Sequence, residues 1–424
     1  MTNRQIIRNE LTGDQYTHIR HKSGLNILVW EMDGFSTTEA LFGTKYGSVN
    51  TRFKTCEDKE YTVVPEGIAH FLEHKLFENE ECDVFDLYAK TGASANAYTS
   101  FDKTCYLFSC SENYRESLDI LLSFVQSPYF TKESVDKEQG IITQEIKMCN
   151  DNPGNRVFYN MLRCLYHNHP VKTDIAGTVE SIAQIDAQLL YKCYNTFYNL
   201  HNMVLVVAGN AKVDEVLEIA DRRTEESKDI KLETFFPDEP ENVVRKEITE
   251  KMSVGLPVFN IGYKSSPCSG YSRIRAELEA YVAISIMSDP SSSLYKSLME
   301  DELINTTFST EVFTGDGYFT IIFGGESKNP REVYKRINNE IERIRTDGLN
   351  RKIYENIKKC TYGSSIRELN STEAVASLMI NSYFENVSPF DPLKVLSEMT
   401  YDDVMKCICE RIIPDRSAIS IIEN

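Results

Sequence analysis

Apolar residues recur along this chain with two periods. Leu25-Asn-Ile-Leu-Val-Trp30 and Glu39-Ala-Leu-Phe-Gly43 are short and rich in β-branched and aromatic side chains, which predicts strands. Ile68, Phe71, Leu72 and Leu76 then repeat every three to four positions, the spacing of one helix face turned to a core. Two more strands are predicted at 96–100 and 104–108, with Asp102-Lys103 turning the chain between them. Helical spacing covers about 113–125, 131–150, 155–166 and 186–197, before Val204-Leu-Val-Val207 predicts another strand. Between 131 and 150 the expected apolar face is Val135, Ile141, Ile142, Ile146 and Met148, and Asn152-Pro153 ends the segment.

The second half begins again with a strand, Pro257-Val-Phe-Asn-Ile-Gly-Tyr263. Helices near 273–287 and 291–303, strands near 307–313 and 318–324, more helices and a last strand at Ala418-Ile-Ser-Ile-Ile422 follow in an order like the first half's. The order of elements, not matching residues, carries this repeat. Pro237 and Pro240 among acidic residues mark a linker. The expected architecture is therefore α+β. A first domain at 1–228, a linker at 229–244 and a second domain of the same fold at 245–424 suit a chain of 424 residues, too long for one ordinary domain.

A hydrophobic share of 41% allows a substantial core. No apolar run approaches the roughly 18 residues of a membrane span, so no membrane insertion is expected. The opening Met1-Thr-Asn-Arg-Gln has no apolar targeting core, and a cytoplasmic location is expected. The eleven cysteines agree, since they include no Cys-x-x-Cys and no matched second pair beside Cys105/Cys110 or Cys407/Cys409, which points to reduced thiols. A net charge of −18 argues against nucleic acid as a partner, and an acidic cavity would favour basic peptides.

The chemistry is concentrated at His70-Phe-Leu-Glu73-His74. Positions i and i+4 of a helix point the same way, so both imidazoles can reach one ion, and zinc binds imidazole nitrogen well. Glu73 sits where its carboxylate can take a proton from a water that such an ion activates. The order reverses His-Glu-x-x-His, the inverzincin arrangement. With only seven histidines in 424 residues, the pattern is not an expected accident. Catalytic zinc usually has a third protein ligand. Glu138 and Glu145 lie two turns apart on the helix predicted at 131–150, so one could bind the ion while the other supports it from behind. Spacing alone leaves each of them equally readable as a solvated surface acid.

Taken together these residues resemble the pitrilysin and insulinase family of zinc metallopeptidases, which includes the mitochondrial processing peptidases. The likeness runs through Gly47-Ser48, Gly67 to His74, Gly92 to Ser100, Glu138 to Glu145, His169-Pro170, Ile175-Ala-Gly177-Thr178 and Asn202 to Gly209, and is to the short bacterial members. The resemblance implies one zinc ion per chain on His70, His74 and Glu145, with Glu73 as general base and Glu138 as an assisting carboxylate. It implies two similar α+β domains forming one half-shell of a chamber, the first alone carrying metal. The strand with Asn96, Ala97 and Tyr98 would take substrate as an added β-strand, which suits short or unfolded peptides.

One departure from the family pattern matters. At Ser292-Ser-Leu-Tyr-Lys-Ser-Leu-Met299 the family has Ser-x-Leu-x-x-x-Leu-Arg, followed seven residues later by Tyr; here Met299 and Thr306 stand in those places. The resemblance therefore implies a homodimer, or a heterodimer with a related shell that supplies the Arg and Tyr. The expected function is zinc-dependent endopeptidase action on peptides. Its alternatives are a non-catalytic subunit of a heteromeric peptidase, disfavoured because His70, Glu73, His74 and Glu145 are all present, and a protease dedicated to leader-peptide maturation.

Overall fold

The predicted strands gather into two mixed sheets in the computed structural model, which describes residues 2–78 and 84–424. Seven strands build the first: β1 (Asn3–Arg8), β2 (Gln15–Arg20), β3 (Asn26–Glu31), β4 (Thr38–Thr44), β5 (Ser94–Thr99), β6 (Thr104–Cys110) and β7 (Met203–Gly209). Their spatial order is β1-β2-β3-β7-β4-β6-β5, antiparallel throughout except for the parallel pair β3–β7. β4 and β7 lie side by side, and every residue of both is buried. Strands covered on both faces read as continuous apolar runs, which is why they were legible.

The second sheet holds β8 (Glu247–Lys251), β9 (Val258–Lys264), β10 (Ser309–Gly315), β11 (Tyr318–Glu326) and β12 (Ser417–Glu423). Its order is β8-β12-β9-β11-β10, with β8–β12 parallel and the other pairs antiparallel. This is the wiring of β3-β7-β4-β6-β5, so the repeat expected from element order is present in the sheets themselves. A small third sheet joins Arg52–Lys54, Thr62–Val63 and Glu233–Thr234. No helix among the described residues is long and apolar enough to cross a membrane.

Two compact units result, and neither is continuous in sequence. The first comprises 1–146, 174–235 and 367–389; the second comprises 147–173, 236–366 and 390–424. A division at 1–228, 229–244 and 245–424 misses this, because each unit recruits a helix from the other half of the chain. The helix Thr372–Phe384 covers β4 and β7 of the first unit. It approaches so closely that a Cβ on Gly43 would lie 2.7 Å from Ile380 Cδ1. In the second unit Pro153–Leu165 covers β9 and β12, and a Cβ on Gly262 would lie 2.6 Å from Leu165 Cδ1. Bare strand backbone under a helix is the same packing solution twice.

Glu39 of β4 alternates with Gly43 onto the face beneath Thr372–Phe384 and is only 5% exposed. Burial pushes its carboxyl up to about 7, against a hydrogen bond with Ser109 and with help from Glu373. A folded pKa above the unfolded value means that the native state holds the extra proton. Stability is then greatest at low pH and falls as pH rises from about 4.5 to about 7. Glu39→Gln should flatten this slope and raise the melting temperature at pH 8 but not at pH 4.5, a gain of about 1–3 kcal/mol. Thermal unfolding of both proteins at the two pH values checks it, and an equal shift at both would refute the titration.

The expected linker is divided between the units: 229–235 belongs to the first, where Glu233–Thr234 joins the small sheet, and 236–244 is anchored within the second. Glu239 accepts hydrogen bonds from the backbone amides of His167, Asn168 and His169 at 2.8, 2.7 and 2.8 Å. Lys264 Nζ donates to Glu239 Oε1 and Pro240 O at 2.6 Å each and to Leu165 O at 2.9 Å. Burial works against the charge on Lys264, but three close oxygen acceptors fit an ammonium group. His169 of the His-Pro pair stacks on Phe236, and its Nε2 lies 2.9 Å from Asp316 O.

Candidate metal centre

Where the helix α1 (Ile68–Leu76) starts is fixed by two glycines in left-handed backbone conformation. Gly67 has φ 88° and Gly177 has φ 77°. A Cβ on Gly67 would lie 2.4 Å from Ala176 O, and one on Gly177 would lie 2.6 Å from Glu66 O. The two backbones therefore lie directly against each other, and Ser181 Oγ donates to Glu66 O at 2.8 Å across the same contact. Ile68, Phe71, Leu72 and Leu76 enter the core as their spacing predicts, and Ala69 is buried with them. His70, Glu73 and His74 take the other face. Gly177→Ala should therefore shift α1 and lower metal content more than Gly92→Ala, a left-handed glycine with open space around it; metal analysis of both variants measures this.

The helix α2 (Lys132–Asn150) brings the carboxylates. Val135, Ile142 and Ile146 are buried, but Ile141 and Met148, expected on the same apolar face, are 47% and 68% exposed. At ~100° per residue they stand roughly 60° and 80° from Glu138 on one side, whereas the three buried residues stand roughly 40–80° on the other. The stripe with Glu138 and Glu145 runs along the border between them.

His70 Nε2 and His74 Nε2 each lie 3.6 Å from an oxygen of Glu145. One ligand atom from each of the three residues fits within a mutual separation of 4.8 Å. These contacts are too long for hydrogen bonds. They match donors around one ion, since two atoms each ~2.1 Å from a tetrahedral zinc stand ~3.4 Å apart. Glu138, only 5% exposed, accepts a hydrogen bond from His74 Nδ1 at 2.9 Å, which leaves the lone pair of Nε2 aimed at the cluster. His70 Nδ1 is buried with no hydrogen-bond partner among the described residues, and Nε2 is the nitrogen that faces Glu145. The donor set fits zinc.

The electrostatics separate the two imidazoles. Burial, with His74 nearby, pushes His70 down to about 3. Burial also depresses His74, but the Glu138 hydrogen bond with the charges of Glu73 and Glu145 outweighs it and raises the net value. Burial raises the Glu73 carboxyl against a hydrogen bond from Thr99, whose Oγ1 donates to Glu73 Oε2 at 2.9 Å. Sequence reasoning stopped at Tyr98 and missed Thr99. Its signal was the alternation of β5, which puts Thr99 on the opposite face from Tyr98.

β5 is the terminal strand of its sheet and packs beside α1. Asn96 is exposed, and Ala97 and Tyr98 are half-buried. The strand pairs with β6 along one edge, and among the described residues no other strand pairs with its second edge. Met299, on the helix Ser293–Glu300, and Thr306 are both exposed.

Comparison with known proteins agrees with the fold. The model of Insulinase (Peptidase family M16) matches residues 60–179, which hold α1 and α2, and that of the Peptidase M16 inactive domain matches 184–359. The zinc protease YmfH of Bacillus subtilis (strain 168) is 40% identical over 411 residues, 95% of each chain. The crystal structure of an M16-like peptidase from Alicyclobacillus acidocaldarius is 31% identical with a TM-score of 0.92, covering 100% of this chain and 98% of that one. Pitrilysin, 17% identical, shares the fold with a TM-score of 0.76 over 100% of this chain and 47% of its own. On the family models and on relatives matched over nearly their full length, this chain belongs to the insulinase family of peptidases, family M16.

Proposed function

We propose that this chain is a zinc-dependent endopeptidase acting on short or unfolded peptides. The convergence of His70, His74 and Glu145, with Glu73 beside them and Glu138 behind His74, carries the reading. Zinc held by the first three would polarise the scissile carbonyl and make a water molecule acidic near neutral pH. Glu73 takes a proton from the attacking water and passes it to the amide nitrogen as the carbon–nitrogen bond breaks. Glu138 keeps His74 in the tautomer that binds metal. The free edge of β5, with Asn96, Ala97 and Tyr98, receives the peptide as an added strand, and a folded protein cannot offer its backbone that way.

Met299 and Thr306 support a dimeric assembly in which a related shell contributes the missing Arg and Tyr. Losing one such donor costs on the order of a hundredfold in rate. The chain alone should therefore turn over peptides slowly, and adding the partner shell, or installing Met299→Arg with Thr306→Tyr, should accelerate it. Rapid turnover by a pure homodimer, unchanged by either addition, would refute the partnership.

Metal analysis combined with hydrolysis of a mixed unfolded-peptide library, with and without chelator, tests the function. Chelator-sensitive cleavage with about one zinc per chain is expected; a protein that binds no metal and cleaves nothing, with or without its partner shell, would be a scaffold. Within the site, Glu145→Gln and His74→Ala should lower zinc content. Glu138→Gln should mainly lower activity, roughly 10- to 100-fold. Equal zinc in all three would mean that the third ligand is misassigned.

A further inference from the structure

The last residue of β5 makes a contact that substrate pairing does not require. Thr99 Oγ1 donates to Glu73 Oε2 at 2.9 Å and lies 3.3 Å from Thr104 Oγ1. A threonine hydroxyl has one proton, so the direction of each bond is decidable. Thr104 Oγ1 sits 2.8 Å from the carbonyl oxygen of Tyr46, which can only accept. Thr104 and Tyr46 are fully buried, so no bulk water competes. Thr104 therefore directs its proton to Tyr46 and gives none to Thr99; the Glu73 carboxylate, a stronger and closer acceptor with no proton of its own when ionised, takes the proton of Thr99. The Thr99 backbone also acts on Glu73, but less strongly than the hydroxyl; the terminal torsion of a glutamate is broad and nearly two-fold, so without the hydroxyl the carboxylate is freer to exchange its oxygens.

We infer that Thr99 is a positioning residue for the general base: by occupying Oε2 it fixes the rotation of the Glu73 carboxylate and reserves Oε1 for the travelling proton. This rests on the reading of Glu73 as the base. In the cycle Oε1 gains one proton from the attacking water, giving a neutral acid whose Oε2 still accepts from Thr99. Oε1 then gives that proton to the leaving amide nitrogen. The proton of Thr99 never transfers, so atoms and charge balance without it.

The test compares zinc-loaded wild type with Thr99→Val, Thr99→Ser, Glu73→Gln and the Glu73→Gln/Thr99→Val double variant, assayed with the partner shell where the chain alone is slow. Valine keeps the β-branched shape and strand preference while removing the hydroxyl. Thr99→Val should lose roughly 10- to 100-fold in kcat, the scale of other supporting hydrogen bonds at metal sites, with KM, zinc content and melting temperature near wild type. Thr99→Ser should recover most of the loss, and Thr99→Val should add nothing in the Glu73→Gln background. Crystals of Thr99→Val should show the Glu73 carboxylate turned, a readout independent of turnover. An unmoved carboxylate, wild-type kcat in Thr99→Val, a serine variant as impaired as the valine one, or a loss confined to KM would each overturn the inference. Normal turnover by Glu73→Gln would instead sink the base assignment itself.

Discussion

Glu73→Gln is expected to keep its zinc and lose turnover by roughly 10²- to 10⁴-fold, the usual contribution of a general base. The change preserves shape and volume, and the amide oxygen still accepts from Thr99 Oγ1 in place of Oε2. Glu73 is not among the three residues that gather around the metal position, so the donor set is untouched. Only the capacity to accept a proton disappears. The measurement is kcat on an unfolded-peptide substrate alongside zinc content per chain. Stoichiometric zinc with near-normal turnover would show that the proton goes elsewhere.

Lys264→Met should destabilise the second unit by about 3–5 kcal/mol, the range for breaking a buried ion pair by removing one partner. Lys264 is 4% exposed, and its ammonium is surrounded by Leu165 O, Glu239 Oε1 and Pro240 O. Methionine fills similar volume but donates nothing, so Leu165 O and Pro240 O lose this donor and Glu239, still held by three backbone amides, loses its counter-charge. His70, His74 and Glu145, the residues proposed to hold zinc, belong to the first unit, so metal content should stay unchanged while denaturant unfolding of the second unit moves to lower concentration. A loss below about 1 kcal/mol would mean that solvent already reaches the cluster.

The site was legible where its geometry is local. His70 and His74 depend only on helical spacing, and α1 buries the apolar set that the spacing predicts. The β1–β2 hairpin carried no comparable signal, because β1 is almost wholly exposed and has no apolar face to display. Ile141 and Met148 misled for the opposite reason: apolar residues near the edge of a helix stripe count toward periodicity whether or not anything covers them. The choice of Glu145 over Glu138 as the residue facing both imidazoles is tertiary, since either lies on the same stripe of α2. Strand alternation sets Thr99 apart from Tyr98, but its contact with Glu73 and the partners of Thr104, across a hairpin, are tertiary.

The exchanged helices also impose a schedule on biosynthesis. β4 and β7 are complete once residue 209 has left the ribosome, yet the helix that covers them, Thr372–Phe384, is made well over a hundred residues later. At ~5–20 residues per second, that apolar sheet face waits on the order of ten seconds or more for its cover. Pro153–Leu165 waits in the opposite sense, since it emerges early and needs β9 and then β12 at the end of the chain. A gene divided at the linker would encode two fragments, each missing a wall and carrying a stray helix that belongs to the other.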